Sequence, residues 1–228
     1  MHPSTLEKFN KILDITINGD YEAHSVDGKL KAHVGTFDNT GIAYVTLPNV
    51  DDVHMYTNCK IMNRYVGLFT EPLEVQTSEN AILLYNDNLE ILLPMVAEEN
   101  AKKSTKFLKQ EVLYEDALVI KIQMDRLKSI IAGSKVQDNA IFKFIMDKYL
   151  IIENDKLKHK FNAIVGPKPF TWGFKRDVIE RILIQSGSDV TFTLAYNTKM
   201  PVKIQYTAGQ IIVEAYVMGF NLDEEIKE

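Results

Sequence analysis

The chain has 228 residues, of which 46% are hydrophobic, 25% charged and 10% aromatic. This is the composition of an ordinary soluble globular protein, and it excludes the collagen, coiled-coil and intrinsically disordered classes. The 26 basic and 31 acidic residues give a net charge of −5, so the protein has no overall positive field that would attract nucleic acid. A polyanionic partner would therefore have to contact a local basic patch.

The cysteine content and the first residues indicate a cytoplasmic protein. The single cysteine, Cys59, cannot form an intrachain disulfide, which fits a reducing compartment. Residues 1–13 interleave charged and apolar side chains and lack the apolar block of a signal peptide. No stretch approaches the roughly 20 apolar residues of a transmembrane helix, so we expect no membrane partner.

The first half of the chain predicts two short helices and a series of strands. Residues Pro3–Leu13 place apolar residues at helical spacing, and Ser4 with Glu7 three residues later matches the start of a helix. The second predicted helix is Lys60–Phe69, which Pro72 stops. The predicted apolar side of this helix consists of Ile61, Tyr65, Leu68 and Phe69. The predicted strands are Leu30–Phe37, Gly41–Leu47, Val53–Thr57, Leu73–Thr77, Ala81–Tyr85 and Leu89–Met95.

The second half repeats this order of elements. The polar stretch Ala97–Thr105 lacks periodicity and predicts an exposed linker near the middle of the chain. Helices are predicted beyond it at Met124–Ala132, closed by Gly133, and at Phe174–Gln185, closed by Gly187. The predicted strands are Ala117–Ile122, Ala140–Met146, Tyr149–Glu153, Leu157–Ala163, Val190–Ala195, Pro201–Tyr206 and Gln210–Met218. The sequence therefore predicts a duplicated α+β fold, with domains at 1–96 and 117–228 joined by a connector at 97–116.

The sequence has no recognisable catalytic or metal-binding motif. It lacks the glycine-rich phosphate loop, the dinucleotide fingerprint and the G-x-S-x-G nucleophile elbow, so nucleotide hydrolysis and hydrolase chemistry have no support. Adjacent carboxylates in linker and tail segments are more typical of solvated charge than of an acid/base pair. The histidines without metal-ligand spacing are His2, His24, His33, His54 and His159. We therefore predict a protein that is not an enzyme and that holds no cofactor or metal.

Positive charge is concentrated on the four predicted helices. The segments that hold these helices, 4–13, 59–70, 123–135 and 174–185, carry ten basic and four acidic residues, a net charge of +6, whereas the rest of the chain carries 16 basic and 27 acidic residues, a net charge of −11. If the helices share one surface, that surface can follow a phosphate backbone without reading bases. Short amphipathic helices also commonly carry lysines on their solvated side, so charge by itself leaves both interpretations open.

Three segments add a resemblance to a known family. They are FDNTGIAYVTL at 37–47, IMNRYVGLFTEPLEVQTSENAILLYNDNLEILLP at 61–94 and MPVKIQYTAGQIIVEAYVM at 200–218. With the order of the elements, their spacing and the basic helices, the chain resembles the replicative sliding clamps of the proliferating cell nuclear antigen type. Among these it is most similar to a bacteriophage clamp, because of its compact length. The resemblance covers nearly the whole chain.

This resemblance implies a head-to-tail homotrimeric ring in which helices face a central hole and β-sheets lie outside. Such a ring is a non-enzymatic processivity factor that encloses duplex DNA, is loaded by an ATP-driven clamp loader and tethers a replicative DNA polymerase. A phage-encoded clamp would act in the cytoplasm of the host cell. The residues that the resemblance implies as contacts to DNA are Lys8, Lys11, Lys60, Arg64, Arg126, Lys128, Lys135, Lys175, Arg176 and Arg181.

The resemblance also implies an apolar pocket that receives short motifs of partner proteins. The matching positions are Phe37, Ile42, Phe107, Leu108, Pro201, Tyr216 and Met218. Several of them fall in strand patterns, where core packing is the more common role. Two alternatives to the clamp stay open: a monomeric clamp-fold processivity or transcription accessory protein, and a viral structural or assembly protein. A ring needs edge strands that pair across subunits, whereas a monomer would blunt such edges.

Overall fold

The computed structural model divides the chain into two compact units, Met1–Leu108 with Thr207–Glu214, and Lys109–Tyr206 with Ala215–Glu228. The residues that it describes are 1–16, 18–36, 38, 40–103, 114, 117–133, 141–146, 150–153, 158–161, 170–183, 185–187, 189–195 and 200–221.

The first helix, α1, spans Pro3–Leu13 as predicted. Its N-cap is His2, not Ser4, because Pro3 occupies the first helical position and its fixed φ starts the helix there. The His2 ring nitrogen Nδ1 accepts a hydrogen bond from the Ser4 backbone N–H. The helix buries one side in the core through Leu6, Phe9, Ile12 and Leu13.

The second helix, α2, spans Cys59–Val66 and ends three residues before the predicted end at Phe69. It begins at Asn58, whose side-chain oxygen accepts hydrogen bonds from the backbone N–H groups of Lys60 and Ile61. The predicted apolar side was wrong for Ile61, which is 45% exposed, and for Leu68, which lies beyond the helix end and is 59% exposed, whereas Phe69 is buried. The buried side of α2 consists of Cys59, Met62 and Val66.

The first unit has more elements than predicted. The strands are β1 (Asp20–Val26), β2 (Lys29–Gly35), β3 (Gly41–Pro48), β4 (His54–Asn58), β5 (Glu74–Thr77), β6 (Ala81–Tyr85) and β7 (Glu90–Pro94). Strand β1 was not predicted, because only Tyr21 and Ala23 of its residues are buried and the others are polar or near the surface. The predicted linker contains a helix, α3 (Glu98–Lys103), which contacts β1 and β4 and buries Ala101.

The second unit also adds strands to the prediction. The elements of the second half are β8 (Ala117–Ile122), α4 (Met124–Gly133), β9 (Ile141–Met146), β10 (Leu150–Glu153), β11 (Lys158–Phe161), β12 (Phe170–Lys175), α5 (Arg176–Leu183), β13 (Val190–Ala195), β14 (Val202–Ala208), β15 (Ile211–Val217) and β16 (Phe220–Asn221). Of these, the end of β14 and the first four residues of β15 belong to the first unit. Strands β12 and β16 were not predicted. The predicted helix start at Phe174 was wrong, since Phe174 and Lys175 pair with β9 in a strand ladder. Gly219 permits a close approach, because a Cβ there would lie 2.5 Å from Cε3 of Trp172.

The order of the strands in the sheets shows that the two halves of the chain have the same topology. An eight-stranded sheet has the order β4-β1-β2-β3-β15-β14-β13-β8, a five-stranded sheet the order β11-β10-β9-β12-β16, and a three-stranded sheet the order β5-β6-β7. The run β4-β1-β2-β3 has the same order as β12-β9-β10-β11, and the meander β5-β6-β7 matches β13-β14-β15. The predicted α+β architecture with two similar halves is therefore present.

A buried polar contact fixes α1 against β1 in the core of the first unit. The Tyr21 hydroxyl donates to Oδ1 of Asn10, whose Nδ2 donates to the Leu6 carbonyl oxygen at 2.8 Å. The ring of Phe9 meets the Tyr21 ring edge to face, with 6.4 Å between centroids. Burial raises the pKa of the Tyr21 hydroxyl well above its usual value.

A similar contact holds α5 in the second unit. The Tyr206 hydroxyl donates to the Ile182 carbonyl oxygen at 2.5 Å, so one carbonyl in the last turn of α5 has a partner. Burial raises the pKa of this hydroxyl as well. No helix in the described part of the chain is long and apolar enough to cross a membrane.

Candidate functional site

The helices of the first unit present a basic surface. Helices α1 and α2 contact each other, and their buried sides face the core, which leaves the basic residues on the solvent side. Lys8 is half-buried, whereas Lys11, Lys60 and Arg64 are exposed. Lys11 forms an ion pair with Glu7 one turn earlier. Helix α2 therefore contributes two exposed cations one turn apart, and α1 adds Lys8 beside the Lys11–Glu7 pair.

The Arg64 side chain lies over the aromatic ring of its neighbour Tyr65. The Arg64 guanidinium carbon lies 5.9 Å from the centroid of the Tyr65 ring, within the range of a cation–π contact. Such a contact orients the planar guanidinium without neutralising it, so it can still donate hydrogen bonds to phosphate oxygens.

The basic residues of the second unit lie among more acidic ones. On α4, Arg126 and Lys128 are exposed, and Asp125 precedes them in the first turn. On α5, the Arg176 side chain is only 15% exposed, and its Nε and Nη2 both donate to Oε2 of Glu180, at 3.2 and 3.1 Å. The remaining predicted contact of α5, Arg181, is exposed.

The excess of positive charge on the helices is smaller than predicted. Lys175 is exposed but lies at the end of β12, since the chain pairs with β9 up to that residue before α5 begins. Lys135 falls outside the described residues. Helices α1, α2, α4 and α5 carry eight basic and four acidic residues, a net charge of +4 instead of the predicted +6.

The predicted pocket residue of the first unit, Ile42, lies on β3 and is only 1% exposed. Strand alternation places it on the same side of the sheet as Tyr44 and Thr46, which are half-buried, and opposite Ala43 and Val45. Ile42 is therefore buried on the side of β3 that is otherwise partly accessible. Phe37 lies outside the described residues.

The predicted pocket residues of the second unit belong to an aromatic cluster. The Tyr216 ring stacks on Tyr114, with 6.5 Å between centroids, and the Tyr114 hydroxyl donates to the Pro201 carbonyl oxygen at 2.7 Å. Nζ of Lys203 lies 5.7 Å from the Tyr216 ring centroid. We call these four residues the Tyr114–Tyr216 cluster. Met218, two residues beyond Tyr216 on the same side of the chain, is 45% exposed.

Pro201, Tyr216 and Met218 were predicted from the sequence, whereas Tyr114 and Lys203 were not. Tyr114 lies about a hundred residues before Tyr216, and no local pattern links them. Lys203 could have been found, since it is the second residue of β14 and shares with Tyr216 of β15 the half-buried side of an alternating strand pattern. Phe107 and Leu108 lie outside the described residues. A stacked aromatic pair, a lysine and an exposed methionine can hold apolar and aromatic side chains of a peptide.

Comparison with solved structures identifies the fold. The chain matches the proliferating cell nuclear antigen of A. fulgidus, solved with the C-terminal region of FEN-1 bound, with a TM-score of 0.72 and 15% identity over 96% of each chain. It matches the proliferating cellular nuclear antigen of Entamoeba histolytica with a TM-score of 0.69 and 10% identity over 95% of each chain. The chain has the sliding-clamp fold.

A third match has the same sliding-clamp fold in a longer chain. The DNA polymerase III β chain of Streptococcus pneumoniae gives a TM-score of 0.70 and 13% identity, over 96% of this chain and 63% of that chain. No protein-family model and no curated protein sequence matches the chain. The predicted resemblance to sliding clamps is confirmed at the level of the fold.

Proposed function

We propose that the protein is a DNA sliding clamp, a non-enzymatic processivity factor that encircles duplex DNA and tethers a replicative DNA polymerase. The observation that carries the proposal is the sliding-clamp fold, matched over 95–96% of the chain to two proliferating cell nuclear antigens. We propose two clamp domains, at 1–96 and 117–228, joined by the connector 97–116. The proposal includes a bacteriophage origin, a clamp loader as partner and action in the host cytoplasm.

The open edges of the sheets support a homotrimeric ring. Strand β3 lies beside β15, whose residues Ile211–Glu214 belong to the first unit. In the topological repeat, β11 has the position of β3 and β7 has the position of β15, and among the described residues both are the last strands of their sheets. Strand β11 of one chain can therefore pair with β7 of another chain in the way that β3 pairs with β15 within one chain. Such a pairing is head-to-tail and generates a closed ring if the rotation fits.

Exposed apolar side chains of the first unit agree with this assembly. Leu92 on the edge strand β7 is 68% exposed, and Ile61 of α2 and Leu68 just beyond it are 45% and 59% exposed. An exposed edge strand, such as β7 with Leu92, is a place where another chain can pair. These residues are therefore candidates for the surface that a neighbouring subunit covers.

Non-specific contact with the DNA backbone is the proposed role of the basic helical surface. Enclosure by a ring supplies retention on DNA, so modest phosphate contacts suffice, and a ring must slide, so these contacts have to be weak and independent of sequence. Lys11, Lys60 and Arg64 of the first unit and Arg126, Lys128 and Arg181 of the second are exposed as this role requires, and Lys8 is half-buried beside them on α1.

Binding of partner peptides is the proposed role of the Tyr114–Tyr216 cluster with Met218. The clamp of A. fulgidus was solved with the C-terminal region of FEN-1 bound, so at least one protein of this fold binds a peptide segment. Ile42, Phe37, Phe107 and Leu108 remain proposed contacts of partner peptides.

The decisive experiment is the solution mass by light scattering over a concentration series. Three chains of 26.0 kDa form a ring of 78 kDa, and a species of that mass supports the clamp. Loader-dependent retention on circular DNA, with release after linearisation, would then demonstrate enclosure. A monomer at every concentration favours an accessory protein instead, and a large open polymer favours a structural protein.

A further inference from the structure

The three-stranded sheet β5-β6-β7 is acidic. Residues 65–101 contain seven acidic residues and no lysine, arginine or histidine. Within the strands and turns of this sheet, the exposed charged residues are Glu74, Glu79, Asp87 and Glu90. Glu90 begins β7, the strand at one edge of the sheet.

The five-stranded sheet β11-β10-β9-β12-β16 is basic. Its strands carry four lysines and one glutamate, namely Lys143, Lys158, Lys160, Lys175 and Glu153. Two of these lysines belong to β11, whose sequence is Lys158-His159-Lys160-Phe161 and which forms one edge of the sheet. Lys160 is exposed. The β11 edge therefore has the opposite charge to the β7 edge.

We propose that these two edges recognise each other in two copies of this chain, so that opposite charge drives the ring to close and added salt weakens it. The inference rests on the proposed clamp function, which supplies the pairing of β7 with β11. Opposite charges facing each other across paired strands attract, and salt screens solvent-exposed charges beyond about 10 Å at 0.1 M. The subunit contact is thus an electrostatic one as well as a strand pairing.

Charge also selects the direction of assembly. Two copies could otherwise pair through identical edges, β7 with β7 or β11 with β11, and form a two-fold dimer that leaves the other edges open. The first pairing places acidic edges together and the second places basic edges together, so both are repelled. Only the head-to-tail pairing is attractive, and this is the pairing that a ring requires.

Charge reversal tests the proposal. The variants are Glu90→Lys, Lys160→Glu and the double variant with both changes, and the control is Glu79→Lys, which changes the net charge equally at the opposite end of the acidic sheet. All three positions are exposed, so the fold should be retained, and circular dichroism checks this. Sedimentation equilibrium measures subunit association between about 0.05 and about 1 M NaCl.

We expect wild-type association to weaken as salt rises. Each single reversal should weaken it about 2- to 30-fold per interface, and the double variant should recover most of the loss because the charges are again opposite. A ring whose association is the same at every salt concentration, or equal losses in Glu90→Lys and Glu79→Lys, overturns the charge proposal and leaves the clamp intact. A wild-type monomer even at low salt overturns the clamp and this proposal together.

Discussion

Removing the positive charges of Lys60 and Arg64 should lower the salt dependence of DNA binding by a defined amount. The two side chains are exposed and one turn apart on α2, so one stretch of phosphate backbone can contact both. Each phosphate contact contributes about 0.9 to the slope of log K against log salt concentration. The double variant with both residues changed to alanine should therefore have a slope smaller by about 1.8.

This difference in slope is large enough to measure. Between about 0.05 and about 0.2 M salt, the ratio of wild-type to variant affinity should change by about 12-fold. Fluorescence anisotropy of a labelled short duplex gives the affinity at each salt concentration. The matched control is the Lys29→Ala, Lys31→Ala double variant, which removes the same charge from β2 and lies on a strand of the sheet.

A wild-type slope in the α2 variant would contradict the proposed contact between α2 and the DNA backbone. An equal decrease of the slope in the β2 control would contradict it as well, because the salt dependence would then follow the net charge of the protein and not the helical surface. A uniform loss of affinity over unrelated duplex sequences is expected, since backbone contacts carry no sequence information.

Two further predictions concern the partner site and the core. Met218→Ser should weaken the binding of a partner peptide by about 1–2 kcal/mol, measured by calorimetry, while the control Ile212→Ser, at a 53% exposed position of β15, should not. Alkaline pH should destabilise the fold, because burial raises the pKa of Tyr21 and Tyr206 above 10.0. The two neutral hydroxyls contribute fully to the free energy of unfolding below pH 10.0, and this contribution is lost as the pH rises through their pKa values in the folded state. A Tm that stays constant between about pH 8 and pH 11 would contradict this.

Local pattern was sufficient for several strands. The predicted bounds of Ala81–Tyr85, Ala117–Ile122 and Val190–Ala195 are those of the structure, because these are apolar or alternating runs between turn residues. Strand β1 has only two buried side chains in seven residues, so its signal is weak, and it is stabilised by pairing with β2 and β4. Strand β12 pairs with β9, which ends more than twenty residues earlier in the chain, and a local sequence pattern does not indicate such a pairing.

The candidate site was predicted in its residue types more than in its geometry. The alternation of charge located Lys60 and Arg64 on the exposed side of a helix, because charged side chains avoid burial. The apolar side of the same helix was wrong, since Ile61 and Leu68 continue the 3.6-residue period but the core contacts Cys59, Met62 and Val66 instead. The sequence of this helix contains two similar apolar stripes, and only the packing of the helix against the rest of the unit determines which of them is buried.

The hydrogen bond between Asn10 and Tyr21 has a consequence for how related sequences can diverge. A phenylalanine at position 21 alone would leave Oδ1 of Asn10 buried without its donor, at a cost of about 1–3 kcal/mol. Replacing both residues by apolar ones of similar shape can be nearly neutral. Natural selection should therefore tolerate changes at these two positions jointly and reject them singly, so that descendants of this chain keep both polar groups or lose both.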